Sequence, residues 1–338
     1  MKKWILLACA ILSEVTGSLS LKAALGHPGW YALVVAGFFC AFMFLAHSRD
    51  FGQEVHERRF EPTEAFVWAP RQELQLTCWG DNVRSLSVAG TFDDCQRLVK
   101  AAFADTALRA AHRLTSANSI NIGRLLPQMA YYAWAVLQLP ASSPPPVVVV
   151  PSGNLGNLTA GVLAQRRGVP LGHFVAATTV NDPLPRYLAD GVFRPRPATP
   201  TLANAMDVGH PSNFERLTWL FDDDVRRMRT SISGVVVRDA EIRQGLRELK
   251  EQFGYVADPH TAVGYVGARE AMRRLPPGAP YVILGTAHPA KFPEVVEPVL
   301  GEAVPTPPAL AARLAKRGQA GLIGPHLSEL ASALRHGF

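Results

Sequence analysis

Short β-branched runs that alternate with amphipathic segments constrain the fold of this chain more than any other feature. The runs "VVVV" (147–150), "HFVAATT" (173–179) and "YVILGTA" (281–287) show no polar alternation, which is typical of strands buried on both faces of a parallel sheet. Segments with helical spacing lie between them, such as "DAEIRQGLRELKEQFG", where we expect Asp239 to cap the helix and Gly254 to end it. The alternation predicts an α/β fold with a mostly parallel sheet.

A glycine-rich bend follows the first of these runs. In "PSGNLGN" (151–157), Gly153 and Gly156 come directly after the predicted strand, and a helix is expected to begin near Asn157. Ligands bind at the carboxyl ends of parallel strands, where such a bend turns backbone N–H groups and the positive end of a helix toward one point. The bend therefore favours an anion, above all a phosphate. It has neither the GK[ST] of a P-loop nor a GxGxxG fingerprint, and a plain strand-to-helix turn is the alternative.

The N-terminal segment has a different character. Residues 4–25 and 30–46 are apolar enough for two membrane-spanning helices, joined by a "GHPG" turn and flanked on both outer sides by basic residues. We therefore predict a transmembrane hairpin over residues 1–46, with both ends facing the cytoplasm. Glu14 lies inside the first span, where a carboxylate is costly and is a functional candidate. A cleaved signal peptide is the alternative interpretation.

Charge and cysteine content argue against several classes of function. The net charge of +6 comes from scattered Lys and Arg residues without a basic block, so we expect no nucleic-acid surface. The four cysteines show no CxxC spacing, which argues against a metal site or a disulfide framework and favours a reducing compartment. We expect a cytoplasmic α/β body, anchored to the inner membrane where the hairpin inserts.

A series of motifs follows in one order along the rest of the chain. They are "TSANSINIGRLLPQMAYY" (115–132), "PSGNLGN", "ATTVNDPLPRYLADG" (177–191), "TLANAMDVGHPSNFERL" (201–217), "DPHTAVGY" (258–265) and "GTAHPAKFPE" (285–294). Together they resemble the threonine synthases, pyridoxal-phosphate enzymes of the tryptophan-synthase β fold, from about residue 71 to the C-terminus. The resemblance implies an incomplete fold-type II α/β body. Its parts would be a linker or junction at 47–70, a remnant of the smaller domain at 71–145 and the larger domain at 146–338.

The resemblance also implies the chemistry and the site residues. The implied cofactor is pyridoxal phosphate, held non-covalently at most, and the implied substrate is O-phosphohomoserine, which with water gives threonine and phosphate. The implied cofactor-binding residues are Ser152, Gly153, Asn154, Gly156, Asn157 and Thr286. The five bend residues would contact the cofactor phosphate mostly through backbone N–H groups, and Thr286 would face the pyridine nitrogen. The implied substrate-binding residues are Asn118, Ser119, Asn121 and Arg124. Turn formation by the two asparagines and a solvated surface position of the arginine are the alternatives. We expect Asp207 and Asn213 to shape loops near the site, and we assign no catalytic role to His260 or His288.

The lysine that would form the Schiff base is missing. In the family it lies in a block like HGPTxAFKD, which this sequence lacks, and of its lysines only Lys291 lies close to a site motif. We therefore expect the single chain to be catalytically inactive unless a complementing chain carries the missing half. A second interpretation starts from "AILSEVTGSLSLKAALG", which resembles the first helix of the small multidrug resistance transporters. It describes a transporter-like hairpin joined to a non-catalytic α/β domain, and a chimera of two genes is the third interpretation.

Overall fold

The computed structural model describes residues 53–57, 84–90, 92–112, 114, 119, 121–316, 318 and 320–336. Among them, contacts define two compact units, a larger one between residues 118 and 304 and a smaller one that combines residues before 118 with residues after 304. The predicted hairpin and Glu14 lie outside the described residues. Within the described ranges, no helix has the length and apolar character needed to cross a membrane.

Strands and helices alternate along the chain, as the sequence predicts. In chain order they are β1 (Gln53–Glu57), β2 (Arg84–Val88), α1 (Phe92–Ala104), α2 (Thr106–Ala111), α3 (Met129–Leu137), β3 (Val147–Pro151), α4 (Gly156–Arg166), β4 (Phe174–Thr178), α5 (Pro183–Asp190), α6 (Phe214–Trp219), α7 (Val225–Ser231), β5 (Ile232–Val236), α8 (Asp239–Phe253), α9 (Pro259–Met272), β6 (Tyr281–Ile283), α10 (Pro293–Leu300), α11 (Pro308–Leu314), β7 (Ala320–Ile323) and α12 (Leu327–His336). Short 3-10 turns lie at Ile122–Arg124, Asn204–Met206 and Pro289–Lys291.

The smaller unit is built on three parallel strands in the order β1-β2-β7. Leu86 and Val88 of β2 are fully buried and pack with Leu98 of α1 and Leu330 of α12 in one apolar cluster. Strand β1 falls within the segment predicted as a linker. Its sequence "QEVHE" has a single apolar residue, so its hydrogen bonds to β2, and not its own pattern, define it as a strand.

The larger unit contains a four-stranded sheet in the order β5-β4-β3-β6, in which every pair of neighbours is parallel. The valines of β3 alternate between two apolar clusters. Val148 and Val150 belong to one cluster, and Val147 and Val149 belong to the other. Helices therefore cover both faces of β3, which confirms the prediction that an unbroken valine run is a central strand of a parallel sheet.

Helix α9 lies against this sheet at unusually short range. A Cβ atom at Gly264 would come within 2.7 Å of Ile283 and 3.2 Å of Pro151, and one at Gly267 would come within 3.4 Å of Val149. The contacts move back along β3 as α9 proceeds, so the helix runs antiparallel to the strands. Its N-terminus therefore lies at the carboxyl edge of the sheet, where ligands bind in this class of fold.

The caps of helix α8 follow the sequence prediction at one end only. Gly254 ends the helix in the left-handed conformation at φ +64°, as predicted. The prediction that Asp239 caps the other end is wrong, because Arg238 is the N-cap and Asp239 is the first helical residue. The carboxylate of Asp239 instead accepts a hydrogen bond from the backbone N–H of Leu202 at 3.1 Å, a contact that only the tertiary structure creates.

Candidate active site

The glycine-rich bend joins β3 to α4, and the predicted order of strand, bend and helix is confirmed. Ser152 fixes its first residue, because its backbone N–H donates to Ala177 O and its hydroxyl donates to Val150 O, each at 2.8 Å. Leu155 precedes α4 in the left-handed conformation at φ 61°, although its side chain is buried. Such a conformation costs a non-glycine residue about 1–2 kcal/mol, so the surrounding contacts must hold the bend in place.

The backbone N–H groups of the bend are available to a ligand. Those of residues 153–158 donate to no protein acceptor within the described part of the chain. The first N–H groups of a helix lack partners inside the helix, and here they adjoin further free N–H groups of the bend. Successive free N–H groups and the positive end of a helix dipole form a site for an anion such as a phosphate.

Gly153 is required by a close backbone contact. A Cβ atom at this position would lie 2.8 Å from Met206 Cα and 3.2 Å from Met206 O. Met206 ends the 3-10 turn Asn204–Met206, which therefore forms a wall of the bend. Because the obstacle is backbone, it cannot move aside as the end of a side chain can.

A buried amide connects the bend to the segment that contains Ser119. Asn213 is fully buried, and its Nδ2 donates to Ser119 Oγ at 2.9 Å and to Asn154 O at 3.0 Å. Arg216 Nη1 donates to Asn213 Oδ1 at 2.7 Å and to Ser119 O at 2.6 Å. We call Ser119, Asn154, Asn213 and Arg216 the bend network. Sequence reasoning gave Asn213 only a general loop-shaping role and did not single out Arg216.

Two predicted contact residues use their side chains within the protein. The Asn154 amide donates to Ser119 Oγ at 3.0 Å and accepts from Ser212 N at 2.6 Å. Asn157 Oδ1 accepts from the hydroxyls of Tyr131 and Tyr132 at 2.6 and 2.7 Å. Burial, together with the neighbouring Tyr131, raises the pKa of Tyr132 well above its usual value, so its hydroxyl remains a donor. The backbone of these residues, rather than their side chains, is free for a ligand.

The remaining predicted site residues are spread along the larger unit. Asn121 Oδ1 accepts from Gly123 N at 2.9 Å and caps the turn Ile122–Arg124, the structural role that sequence analysis kept as an alternative. Arg124 is exposed, and its guanidinium forms no ion pair with any described residue. Thr286 is exposed in the loop after β6, the strand beside β3. Asn118 lies outside the described residues.

A buried carboxylate that sequence analysis did not single out lies at the start of α9. Asp258 Oδ1 accepts from His260 N at 2.9 Å and lies 2.8 Å from His260 Nδ1, and Asp258 Oδ2 accepts from the Thr261 hydroxyl. Burial raises the pKa of Asp258, but the hydrogen bonds from His260 and from the Thr261 hydroxyl outweigh it, and the pKa is lowered. An aspartate followed by proline is an N-cap signal in the sequence, and it would have located this residue.

Asp207 holds the far side of the 3-10 turn. Its Oδ1 accepts from Asn181 Nδ2 at 2.8 Å and from the Thr201 hydroxyl at 2.7 Å, and its Oδ2 accepts from Thr201 N at 2.9 Å. Burial raises the pKa of Asp207 to about 7, against the smaller effects of the Thr201 hydrogen bonds and of His260. The expectation that this residue shapes a loop near the site agrees with these contacts.

The described lysines lie in several parts of the chain. Lys250 pairs with Glu302 at 2.5 Å, and Lys100 and Lys316 lie on the smaller unit. Lys291 is half-buried and ends the turn Pro289–Lys291, a few residues beyond Thr286. Among the described residues, no group of His, Cys, Asp and Glu side chains is arranged to hold a metal ion.

Comparison with known proteins places these observations in a family. Residues 62–287 match the family of pyridoxal-phosphate dependent enzymes, residues 261–320 match the C-terminal part of threonine synthases, and residues 2–51 match the small multidrug resistance proteins. The threonine synthase of Escherichia coli (strain K12) is 47% identical over 246 residues, which cover 72% of this chain and 56% of that protein. The chain thus spans little more than half the length of this relative.

Solved structures give the same result for the fold. The crystal structure of threonine synthase from Escherichia coli is 37% identical with a TM-score of 0.77, over 88% of this chain and 73% of that one. The structure of pyridoxal-phosphate-bound threonine synthase from Brucella melitensis is 29% identical with a TM-score of 0.73, over 90% of this chain and 74% of that one. The chain therefore belongs to the family of pyridoxal-phosphate dependent enzymes, and within that family it resembles the threonine synthases.

Proposed function

We propose that this chain binds pyridoxal phosphate at the bend after β3 and serves the reaction of a threonine synthase, the conversion of O-phosphohomoserine and water to threonine and phosphate. One observation carries the proposal. The N–H groups of residues 153–158 have no protein acceptor within the described residues, and the first of these residues is a glycine that no larger residue could replace without moving Met206. The identity to threonine synthases supports the substrate.

The residues present fit the phosphate of the cofactor. Free N–H groups at a helix N-terminus bind phosphate without a basic side chain, and none is needed at the bend itself. The bend network fixes the direction of these groups, because Asn213 holds the Asn154 carbonyl and Asn154 holds Ser212. A bound phosphate would therefore find its donors already oriented.

We propose that Thr286 meets the other end of the cofactor. It follows β6, which pairs with β3 in parallel, so the loops after both strands lie at the same edge of the sheet. When bound, pyridoxal phosphate supplies an electron sink for chemistry at the carbons of an amino acid. A threonine hydroxyl at the pyridine nitrogen would be neutral and, in contrast to a carboxylate, would leave that nitrogen largely unprotonated.

For the substrate we propose that Arg124 binds the phosphate of O-phosphohomoserine. Its guanidinium is exposed and has no carboxylate partner among the described residues, and guanidinium groups bind phosphate in a bidentate manner. Ser119 lies nearby in sequence, but its hydroxyl already accepts from Asn154 and Asn213. We therefore assign Ser119 to the bend network, and Asn118 and Asn121 stay predictions.

We further propose that covalent attachment and turnover need a lysine from outside this chain. The sequence has no block like HGPTxAFKD, and Lys250 pairs with Glu302. The match of residues 2–51 to small multidrug resistance proteins favours an additional role as a membrane hairpin that anchors the α/β body, with Glu14 inside it. Replacing Glu14 with Gln and measuring drug resistance in cells tests whether this hairpin transports, and unchanged resistance would reduce it to an anchor.

The experiment for the main proposal measures cofactor binding to the full chain. We expect pyridoxal phosphate to quench protein fluorescence saturably and pyridoxal, which lacks the phosphate, to bind about tenfold more weakly or worse. Borohydride reduction followed by peptide mass mapping should find no single stoichiometric lysine adduct, and Lys291→Arg should bind as the wild type does. Equal affinity for pyridoxal and pyridoxal phosphate would refute the phosphate site, and one stoichiometric adduct would refute the need for an external lysine.

A further inference from the structure

Asp258, His260 and Thr261 form a buried cluster that we call the Asp258 clamp. Each of the three is at least nine-tenths buried, and Asp258 is 1% exposed. An ordinary N-cap carboxylate accepts only from backbone N–H groups of its own helix. Asp258 accepts from such groups and also holds two side chains, the His260 imidazole and the Thr261 hydroxyl. The two side chains lead to two different loops.

The first arm of the clamp leads to the bend. His260 Nε2 accepts from the backbone N–H of Ala205 at 3.2 Å, so this nitrogen carries no proton and Nδ1 donates to Asp258. Ala205 is the middle residue of the turn Asn204–Met206, whose last residue lies against Gly153 at the 2.8 Å approach described above. The His260 ring thus fixes the wall of the bend.

The second arm leads to the loop that carries Thr286. A Cβ atom on Gly285 would lie 3.1 Å from Thr261 Oγ1, so the backbone of this loop passes directly over the Thr261 hydroxyl. Its hydrogen bond to Asp258 fixes that hydroxyl. One turn further along α9, Gly264 packs against Ile283 of β6 and Pro151 of β3, so the same helix is in contact with both strands that precede the two loops.

We infer that Asp258 is a positioning residue that sets the spacing between the phosphate-binding bend and the loop of Thr286, through His260 on one side and Thr261 on the other. The inference rests on the proposed function, because it concerns the two ends of the same cofactor. It assigns to the clamp no contact with the cofactor. The two arms have separable effects, since His260 acts on the bend and Thr261 acts on the loop of Thr286.

The test compares pyridoxal phosphate with inorganic phosphate, both titrated into the full chain. Inorganic phosphate needs only the bend, whereas pyridoxal phosphate needs the bend and Thr286 together. We expect Thr261→Val to lower the affinity for pyridoxal phosphate about tenfold, because only the loop of Thr286 is released. The affinity for inorganic phosphate should stay within about twofold of the wild-type value. Thr261→Ser, which keeps the hydroxyl, should restore wild-type affinity.

The other arm gives a different signature. The variant His260→Asn keeps a donor to Asp258 but cannot reach Ala205, so we expect it to lower the affinity for both ligands about tenfold. The variant His260→Gln keeps an acceptor near the position of Nε2 and should restore much of the lost affinity. These pairs keep the carboxylate and serve as the test even where Asp258→Ala does not fold. The control is Asp224→Ala, which removes the carboxylate cap of α7 in the same unit and should leave both affinities unchanged.

The possible outcomes separate the inference from the proposed function. Equal loss of both ligands in Thr261→Val, or wild-type binding of pyridoxal phosphate by Thr261→Val and His260→Asn, would overturn the inference while leaving the proposed function intact. A wild-type chain that binds no pyridoxal phosphate would overturn the proposed function and the inference with it.

Discussion

Replacing Asn213 with alanine is the sharpest test of how the bend is held. Asn213 is fully buried, and the substitution removes its hydrogen bonds to Ser119 Oγ, to Asn154 O and from Arg216 Nη1. A neutral hydrogen bond contributes about 1 kcal/mol to stability and one to a charged group about 1.5–3 kcal/mol, so we expect the free energy of unfolding to fall by about 4 kcal/mol. This is a large part of the total stability of an ordinary domain.

The assay is chemical denaturation of the full chain, followed by titration with pyridoxal phosphate under conditions where the variant is folded. We expect affinity to fall about tenfold, because the Asn154 carbonyl and the N–H groups beside it lose their fixed direction. The matched control is Asn204→Ala. Asn204 Oδ1 is buried without a hydrogen-bond partner among the described residues, so its removal should change stability by less than about 1 kcal/mol. Equal stability of the Asn213 and Asn204 variants would refute the reasoning.

Three further predictions follow from other contacts. Gly153→Ala should lower the free energy of unfolding by about 1–3 kcal/mol, because its Cβ would meet Met206 Cα at 2.8 Å. Pyridoxal phosphate binding should weaken as well. A variant as stable as the wild type in chemical denaturation would contradict the close approach. Burial raises the pKa of Asp207 to about 7, so the folded chain holds this proton more tightly than the unfolded chain. Relative to Asp207→Asn, the wild type should therefore lose about 4 kcal/mol of stability as the pH rises from about 4 to about 7, and parallel pH profiles of the two proteins would contradict the shift. Arg124→Ala should leave the stability and the affinity for pyridoxal phosphate unchanged. It should lower the affinity for O-phosphohomoserine about tenfold or more, measured by competition in the fluorescence titration. An unaltered substrate affinity would remove Arg124 from the site.

Much of the larger unit could be predicted because local patterns carry it. The valine run of β3, the run of β4 and the C-terminal cap of α8 depend on neighbours within a few residues. Strand β1 could not be predicted, because "QEVHE" has no apolar period and forms a strand through its pairing with β2. The N-cap of α8 was predicted wrongly because Asp239 contacts Leu202, which is distant in sequence.

In the candidate site, too, the sequence predicted some features and not others. The sequence located the bend, its two glycines and the loop of Thr286. It also identified Asp207 and Asn213 as loop residues, but it did not identify their hydrogen-bond partners. It predicted that Asn154 and Asn157 contact the cofactor mostly through backbone N–H groups, and those groups donate to no acceptor among the described residues. The side chains of both residues hydrogen-bond within the protein. Which partners these side chains take depends on their neighbours in space, and a motif does not contain that information.

By itself the sequence determined that this chain builds a parallel sheet with a glycine-rich bend at its carboxyl edge, because β-branched runs and glycines act through local backbone preferences. Only the tertiary structure decided what holds that bend. Asn213 reaches Ser119 across 94 residues of sequence, and His260 reaches Ala205 across 55. Such contacts depend on the strand order β5-β4-β3-β6 and on the close approach of α9 to the sheet. The alternation of strands and helices allows many strand orders, and packing selects the one in which these side chains meet.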